Sequence, residues 1–592
     1  MKSFFKIVFG SMVGFLLFAL LWLLIVLAVV GGIMASMGDE THPPLKEPTV
    51  LKVELATPVT ERVSNNPMNY LKSGNTSKPT DLNTILKVIR RAKTDDQIKG
   101  IVFRPGLGAA ISAANTEEMR AALVDFKESG KFIYAYADVY DQNLYWLATV
   151  ADTIGLQPEG AINFRGISME VMFFKELLNK LGVEMQILRH GKFKSAVEPY
   201  IQNEMSPANR EQYDRLAHSI WNRMAEDVAE GRGLSRAAVD EAAAEVYGMF
   251  PEQALAHGMI DMVTPQAGFT ALLLNKMNVE EEDDLKMISI SDYAAIPEPL
   301  VKTTDKIAVI YANGEIGMGK GNETEIGTEN IVKALKDAAD DEKVKAIVLR
   351  VNSPGGSVLT SDIIYQEVLN AKAKKPLVAS FGSYAASGGY YISCAADRIF
   401  AQPTTLTGSI GVFGMIPNVG KTMKRIGIHT DGVKTHPYAG TPSLMRAMTP
   451  GERDLQQRSI EDIYAGFIGK VAKGRGMSTA AVDSIGQGRV WSGTDGLRVG
   501  LVDELGGLED AIAYVAEKAG LEQYKVTEYP KQKSTYELVM ESLTDMRANK
   551  VTRTLTEEFG PEAALLYRTV DGVKNTRGMV VWSRMPYGLV TE

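Results

Sequence analysis

The sequence predicts an α/β protein: two tandem copies of a parallel-sheet βαβ domain behind an N-terminal transmembrane helix. Three observations carry that prediction. Separate stretches of the chain match one another, in order, at an offset near 243 positions. Within each copy, strand-like and helix-like segments alternate with short links, the pattern of βαβ units. The N-terminus opens with a long uncharged apolar run.

The apolar run comes first in the chain. No charged residue occurs from Ile7 to Gly38, and Val13 to Val30 is dense in Leu, Val, Phe and Ala. About 20 apolar residues suffice to cross a bilayer, whereas the core of a cleaved signal peptide spans about 7–15. The run therefore reads as an uncleaved anchor over 7–34. Lys2 and Lys6 precede it and Asp39 and Glu40 follow it. That asymmetry keeps the N-terminus cytoplasmic and puts the rest of the chain on the far side. Residues 35–49, with Pro43-Pro44 and Pro48, read as a linker.

The duplication defines the next two domains, 50–278 and 306–525. Met205-Ser206-Pro207 matches Met448-Thr449-Pro450, and Gly231-Arg232-Gly233-Leu234-Ser235 matches Gly474-Arg475-Gly476-Met477-Ser478. Ile98 to Val102 matches Val344 to Val348, and His257 to Asp261 matches Val499 to Asp503. In the first copy a strand is expected at Val50–Leu55 and helices at 207–230 and 237–247. In the second, strands are expected at Lys306–Tyr311, Ile347–Val351, Pro376–Ser380 and Arg398–Ala401. Helices are expected there at Ser361–Lys374, Tyr384–Ala396, Met448–Ala472 and Thr479–Ile485. Between the copies, 279–305 carries Glu280-Glu281-Glu282-Asp283-Asp284 and Pro297-Glu298-Pro299, and reads as a solvated connector. Residues 526–592 read as a helical tail.

Composition narrows the chemistry. The 592 residues are 45% hydrophobic and 23% charged, with a net charge of −8 and no large basic tract, which argues against nucleic-acid binding. One cysteine, Cys394, excludes an internal disulfide framework. The 6 histidines show no metal-ligand spacing. No metal or cofactor is expected.

One pair of positions points to a reaction. Leu406-Thr407-Gly408-Ser409-Ile410-Gly411-Val412 has Gly166 where the second copy has Ser409, and Lys194 of the first copy corresponds to Pro437. Each copy thus holds a reactive group that the other lacks. A serine hydroxyl is a weak nucleophile until a neighbour takes its proton. His429, His436 or a buried, neutral lysine could serve as that base. Asn352-Ser353-Pro354-Gly355-Gly356-Ser357 joins a strand to a helix, and its glycines let backbone N–H groups approach a ligand as an oxyanion hole would.

Four stretches together resemble the motifs of the S49 family of signal peptide peptidases, in its long double-domain form. They are Asn352 to Gly356, Gly382-Ser383-Tyr384-Ala385-Ala386-Ser387-Gly388-Gly389-Tyr390-Tyr391, Leu406 to Val412, and Gly191-Lys192-Phe193-Lys194-Ser195-Ala196-Val197-Glu198-Pro199. The resemblance implies a Clp protease/crotonase-like fold and a serine endopeptidase without cofactors. It implies Ser409 as nucleophile, Lys194 as general base, and Gly355 and Gly356 as the oxyanion turn. It further implies remnant signal peptides as substrates, a homotetramer, and a place in the bacterial cytoplasmic membrane with the catalytic part periplasmic. Thr430 to His436 departs from the pattern. Lys434 and His436 stand where small hydroxyl residues that orient the base are expected, and a second ammonium there would disfavour protonation of Lys194. An acyl-CoA enzyme of crotonase type and a catalytically silent scaffold are the competing readings. The first would call for an acidic catalytic residue and a CoA pocket, and labelling of Ser409 by a serine-reactive probe would exclude the second.

Overall fold

A computed structural model describes residues 9–10, 13–15, 17–18, 20–22, 42–63, 81–106, 108–298 and 301–532, and the backbone of 581–584. Most of the expected anchor, 7–34, and of the expected tail lies outside the described residues. Among the described residues no helix is long and apolar enough to cross a membrane.

The first copy is built on β1 (Thr49–Leu55), β2 (Ile98–Pro105), β3 (Phe132–Tyr140) and β4 (Thr153–Ile162). Next come β5 (Glu184–Arg189), which leaves this sheet, and the short strands β6 (Met262–Val263) and β7 (Met287–Ser289). The sheet order is β6-β4-β3-β2-β1-β7, with every pair parallel. Helices α1 (Leu82–Thr94), α2 (Ala113–Lys127) and α3 (Gln142–Ala148) are opened by Asp81, Ser112 and Asp141, whose side chains accept a first-turn N–H. The long α4 (Pro207–Arg232) follows the same rule with Ser206. Both sheet faces are covered, so the strands are nearly continuous apolar runs.

Two expected boundaries move. The connector 279–305 is exposed over its acidic run, but it is not solvated throughout. Met287–Ser289 extends the sheet beside β1, and Ile290, Tyr293 and Ile296 are buried in the first core. Three apolar anchors spaced through polar sequence are too few to show a period, but β1 offers them an unpaired edge. At the other end, residues 526–529 are not tail: the strand Lys525–Tyr529 pairs with the second sheet and buries Tyr529.

The second copy begins with β8 (Lys306–Asn313), β9 (Glu315–Ile316) and β10 (Glu325–Ile326), then α5 (Thr328–Asp340), β11 (Val344–Ser353), β12 (Gly355–Ser357) and α6 (Val358–Lys374). It continues with β13 (Leu377–Ala386), α7 (Gly388–Ser393), β14 (Ile399–Ala401), β15 (Leu406–Gly408) and β16 (Phe413–Asn418). Helix α8 (Pro450–Arg475), β17 (Val490–Ser492), β18 (Glu504–Leu505), α9 (Leu508–Lys518), β19 (Lys525–Tyr529) and β20 (Val581–Arg584) complete it. The main sheet runs β17-β15-β13-β11-β8-β19, with β14 and β18 branching from β13. The helix expected from Tyr384 starts four residues later. Tyr384, Ala385 and Ala386 pair with Leu406, Thr407 and Gly408, and small residues accept either state until a partner strand decides.

A third sheet joins the copies, in the order β10-β9-β12-β20-β16-β5. Strand β5 of the first copy lies antiparallel to β16 of the second, from Arg189 opposite Phe413 to Glu184 opposite Asn418. Leu188 thereby belongs to the second core.

Buried charge fastens the copies elsewhere. Arg350 on β11 is fully buried, and its guanidinium donates to Glu61, to Glu118 on α2, to Ser380 Oγ and to the Phe381 carbonyl, over 2.6–3.1 Å. Glu61 and Glu118 come from the first copy. Breaking such a network from one side strands the remaining charges. Arg350→Met is therefore expected to cost about 3–5 kcal/mol, read as a lower denaturant midpoint; a loss below about 1 kcal/mol would show that water reaches the two carboxylates.

Candidate active site

Lys194 reaches the second copy because β5 does. It lies five residues beyond Arg189, where the chain turns into the short 3₁₀ segment Ser195–Val197. Glu198, fully buried, steadies that segment by accepting from Ser206 and Asn209 at the start of α4. The lysine then passes under the Gln487-Gly488-Arg489 loop. A Cβ at Gly488 would lie 2.6 Å from Lys194 Cβ, so only glycine fits against it.

The amine is completely buried. Nζ lies 2.7 Å from Ser387 Oγ, 3.0 Å from Ser409 Oγ and 3.0 Å from the Ser409 carbonyl. Burial alone holds its pKa well below the usual lysine range. A neutral amine has two N–H groups and one lone pair. The Ser409 carbonyl can only accept, so it takes one N–H. Of the two hydroxyls, one takes the second N–H and the other can give its own proton to the lone pair.

Lys194 and Ser409, paired in the sequence reading, are thus brought together by the structure. Ser387 is the residue that reading did not assign. It sits where β13 turns into α7, at φ 58° and ψ −114°, a conformation that is costly for a side chain with a Cβ. The same place in the first copy is Asp141, at φ −76° and ψ 170°, which caps its helix by accepting from Leu144 N–H. Ser387 makes no such capping bond and directs its hydroxyl at Lys194. A signal was present: Ser-Gly-Gly after a β-prone stretch, with no counterpart in the first copy. Reading Tyr384–Ala396 as one helix concealed the turn.

The Gly355–Gly356 turn packs against this elbow. A Cβ on Gly388 would lie 3.1 Å from Gly356 N, and one on Gly389 would lie 2.7 Å from the Ser353 carbonyl. Gly355 and Gly356 adopt φ 104° and 156°. A Cβ on Gly356 would also strike the Ile316 carbonyl at 2.1 Å. The Gly355 N–H donates to Ser353 Oγ at 3.2 Å.

Ser409, at φ 49°, is held by its backbone: its N–H donates to Arg489 O at 2.7 Å. Gly166 occupies a comparable left-handed turn at φ 90° in the first copy, and Pro437 lies in an exposed loop. The stretch expected to orient the base, Thr430 to His436, is exposed throughout. Lys434 pairs with Glu452 at 3.4 Å and plays no part in lowering the pKa of Lys194. The hydroxyls beside the amine come instead from Ser387 and Ser409, at two turns of the central sheet.

An extended slot runs beside the elbow. Its edges are β12 and β16, and β20 lies between them, with Gly356 opposite Ser583 and Phe413 opposite Trp582, both antiparallel.

The profile of peptidase family S49 matches residues 125–279 and 370–522, and that of Clp protease matches 301–407. The chain is 39% identical to Protease 4 of Salmonella typhi over 78% of this chain and 75% of that protein. It is 36% identical to Protease 4 of Haemophilus influenzae over 72% and 71%. With the chloroplastic serine protease SPPA of Arabidopsis thaliana it shares 30% identity over 68% of this chain and 61% of that protein. Among solved structures, ClpP1 from Listeria monocytogenes matches 34% of this chain and 94% of its own, at a TM-score of 0.23 and 19% identity. A duplicated S49 match spread over both copies, with relatives aligned across most of their length, makes this chain a serine protease of peptidase family S49.

Proposed function

We propose that the chain is a Ser/Lys endopeptidase in which Ser387 is the nucleophile, Lys194 the general base and Ser409 the residue that orients the base. The observation that carries this reading is the strained Ser387 elbow, 2.7 Å from a buried amine and packed on the Gly-Gly turn. Ser387 is preferred to Ser409 because it opens a helix at the elbow that packs on the Gly355–Gly356 turn, whereas Ser409 contacts Lys194 and Arg489. Neutral Lys194 takes the Ser387 proton as Oγ attacks the scissile carbonyl. The Gly355–Gly356 turn, packed on this elbow, supplies backbone N–H for the developing oxyanion in this reading, with Gly356 the candidate donor because the Gly355 N–H is given to Ser353 Oγ. The lysine then gives its proton to the leaving amine, and a water activated by the same lysine releases the acyl group.

Ser387→Ala is expected to lower kcat by about 10³-fold or more, and Ser409→Ala by about 10–100-fold. The reverse ranking would restore Ser409 as nucleophile. Activity is expected to persist at neutral pH and to fall on acidification as Lys194 protonates. Stability carries the opposite mark of the same burial. The unfolded chain binds a proton at Lys194 that the folded chain does not, so stability rises with pH between the lowered pKa and about 10.4. Lys194→Met should therefore abolish activity yet raise Tm at pH 7; an unchanged or lower Tm would contradict a neutral buried amine.

The slot between β12 and β16 fits an extended peptide that adds a strand to both edges. Backbone pairing there recognises any sequence, which suits the apolar cores of remnant signal peptides. One relative, from Enterococcus faecium, bears the name putative signal peptide peptidase SppA. The chain's own residues 581–584 model such an occupant. Ser583→Pro, which removes a ladder N–H, is expected to lower KM for added peptides several-fold; an unchanged KM would separate the tail from the slot.

Residues 7–34 act as the anchor in this reading, in the cytoplasmic membrane of a bacterium with the protease domains on the periplasmic side. Phe15, Leu17, Phe18, Leu20, Leu21 and Trp22 are exposed and apolar, as lipid contact demands. A second apolar surface joins Leu177 and Leu181 to Ile426 and Ile428, where Thr422 donates to the Leu181 carbonyl. Another copy would cover it, in keeping with a homotetramer. Extraction should need detergent, and Leu177→Glu should reduce the sedimenting mass; release by salt alone, or an unaltered mass, would refute the respective claim.

A further inference from the structure

The two groups that must meet at 3.0 Å, Lys194 and Ser409, belong to different copies of the repeat. Their backbones are joined on one side by β5 and β16. Downstream of the lysine one buried side chain does the joining. Gln212 of α4 is 1% exposed. Its Nε2 donates to Ser195 Oγ at 3.3 Å, on the residue that follows Lys194. Its Oε1 accepts the Val490 N–H at 2.7 Å. Val490 lies opposite Gly408 in the β15–β17 pair and follows Arg489, whose carbonyl takes the Ser409 N–H. The path closes on itself: Lys194 to Ser195, across Gln212 to Val490 and Arg489, to Ser409, and back to the amine.

We infer that Gln212 is a positioning residue for the proteolytic reaction, setting the distance between the lysine of one copy and the serines of the other. An amide suits the position because it must donate toward the first copy and accept from the second. Its orientation is set by Asn209, whose Oδ1 lies 3.5 Å from the same Nε2 and whose own Nδ2 is committed to Glu198. The backbone bond from Phe193 N–H to Gln487 O ties the same two segments upstream of the lysine, so loss of Gln212 leaves a hinge there rather than a separation. On that hinge Lys194 can swing away from the hydroxyls and admit water. The inference rests on Lys194 as base, and the test separates the two claims.

The experiment uses the full-length, detergent-solubilised protein and a fluorogenic peptide. Gln212→Met keeps the volume and removes both bonds. Its kcat should fall by about 10–100-fold with KM within about twofold, as expected when reacting groups are displaced by an ångström or less. The acidic limb of its kcat–pH profile should also move to higher pH, because a hydrated amine holds its proton more tightly. Gln212→Glu, which keeps the acceptor for Val490, should recover part of the lost kcat. An unchanged kcat, or a lower kcat with an unmoved acidic limb, would overturn the inference, the second outcome marking a purely structural role. If Gln212→Met does not fold, the same two readouts on Ser195→Ala decide in the same way. Lys194→Ala is run alongside: if it stays active, the base assignment has failed, and the inference falls with it.

Discussion

A lysine amine has to be kept out of water, beside two serine hydroxyls, without a carboxylate to neutralise it. The rest of the second copy is arranged around that requirement. Burial is the cause of the lowered pKa of Lys194, so whatever admits water to the amine also raises its hold on a proton. Glycines at 411 and 488 close over the side chain at distances that no Cβ would tolerate without movement. The same packing that makes the lysine reactive makes it a burden on stability, which the surrounding cores must offset.

Neither copy could build that site alone. The first supplies an amine just beyond a strand that pairs with the other copy, and the second supplies two hydroxyls and a glycine turn. Their shared sheet, β5 on β16, sets direction, while Arg350 with Glu61 and Glu118 sets depth. Buried charge is a poor source of net stability but a strong penalty on wrong registration, since any displacement leaves a charge unpaired. Glu117, beside Glu118 on α2, extends the same clamp: it accepts from the N–H and hydroxyl of Thr404, in the loop that leads to β15 and Ser409. Burial pushes its carboxyl up to about 7, so the folded chain takes up a proton there more readily than the unfolded chain does.

The two copies treat the same strand-to-helix turn differently. At the β3–α3 turn Asp141 has ordinary extended dihedrals and satisfies a first-turn N–H. At the equivalent β13–α7 turn the chain is bent into a left-handed conformation and Ser387 makes no capping bond. Two glycines follow, where side chains would collide with the Ser353–Gly356 segment. In place of a capping bond the Ser387 hydroxyl meets the buried amine of Lys194 at 2.7 Å.

By itself the sequence determined the repeat, the α/β class and the alternation of strands and helices, and it singled out Lys194 and Ser409 as a reciprocal pair between the copies. These are properties of local composition and of residue-by-residue comparison between copies. Helices such as Thr479–Ile485 were legible to the residue because Ser478 caps the start and the apolar spacing is helical. Only the tertiary structure decided the rest. The segment 384–386 is strand because β15 lies beside it, and 287–289 is strand because β1 has an open edge. The role of Ser387 depends on a backbone turn whose angles no residue type announces. Thr430 to His436 is solvent-exposed and the hydroxyls beside Lys194 are those of Ser387 and Ser409, because separation along the chain says nothing about which turns a sheet brings together. Proximity across two copies is a property of packing, and packing is where this site is made.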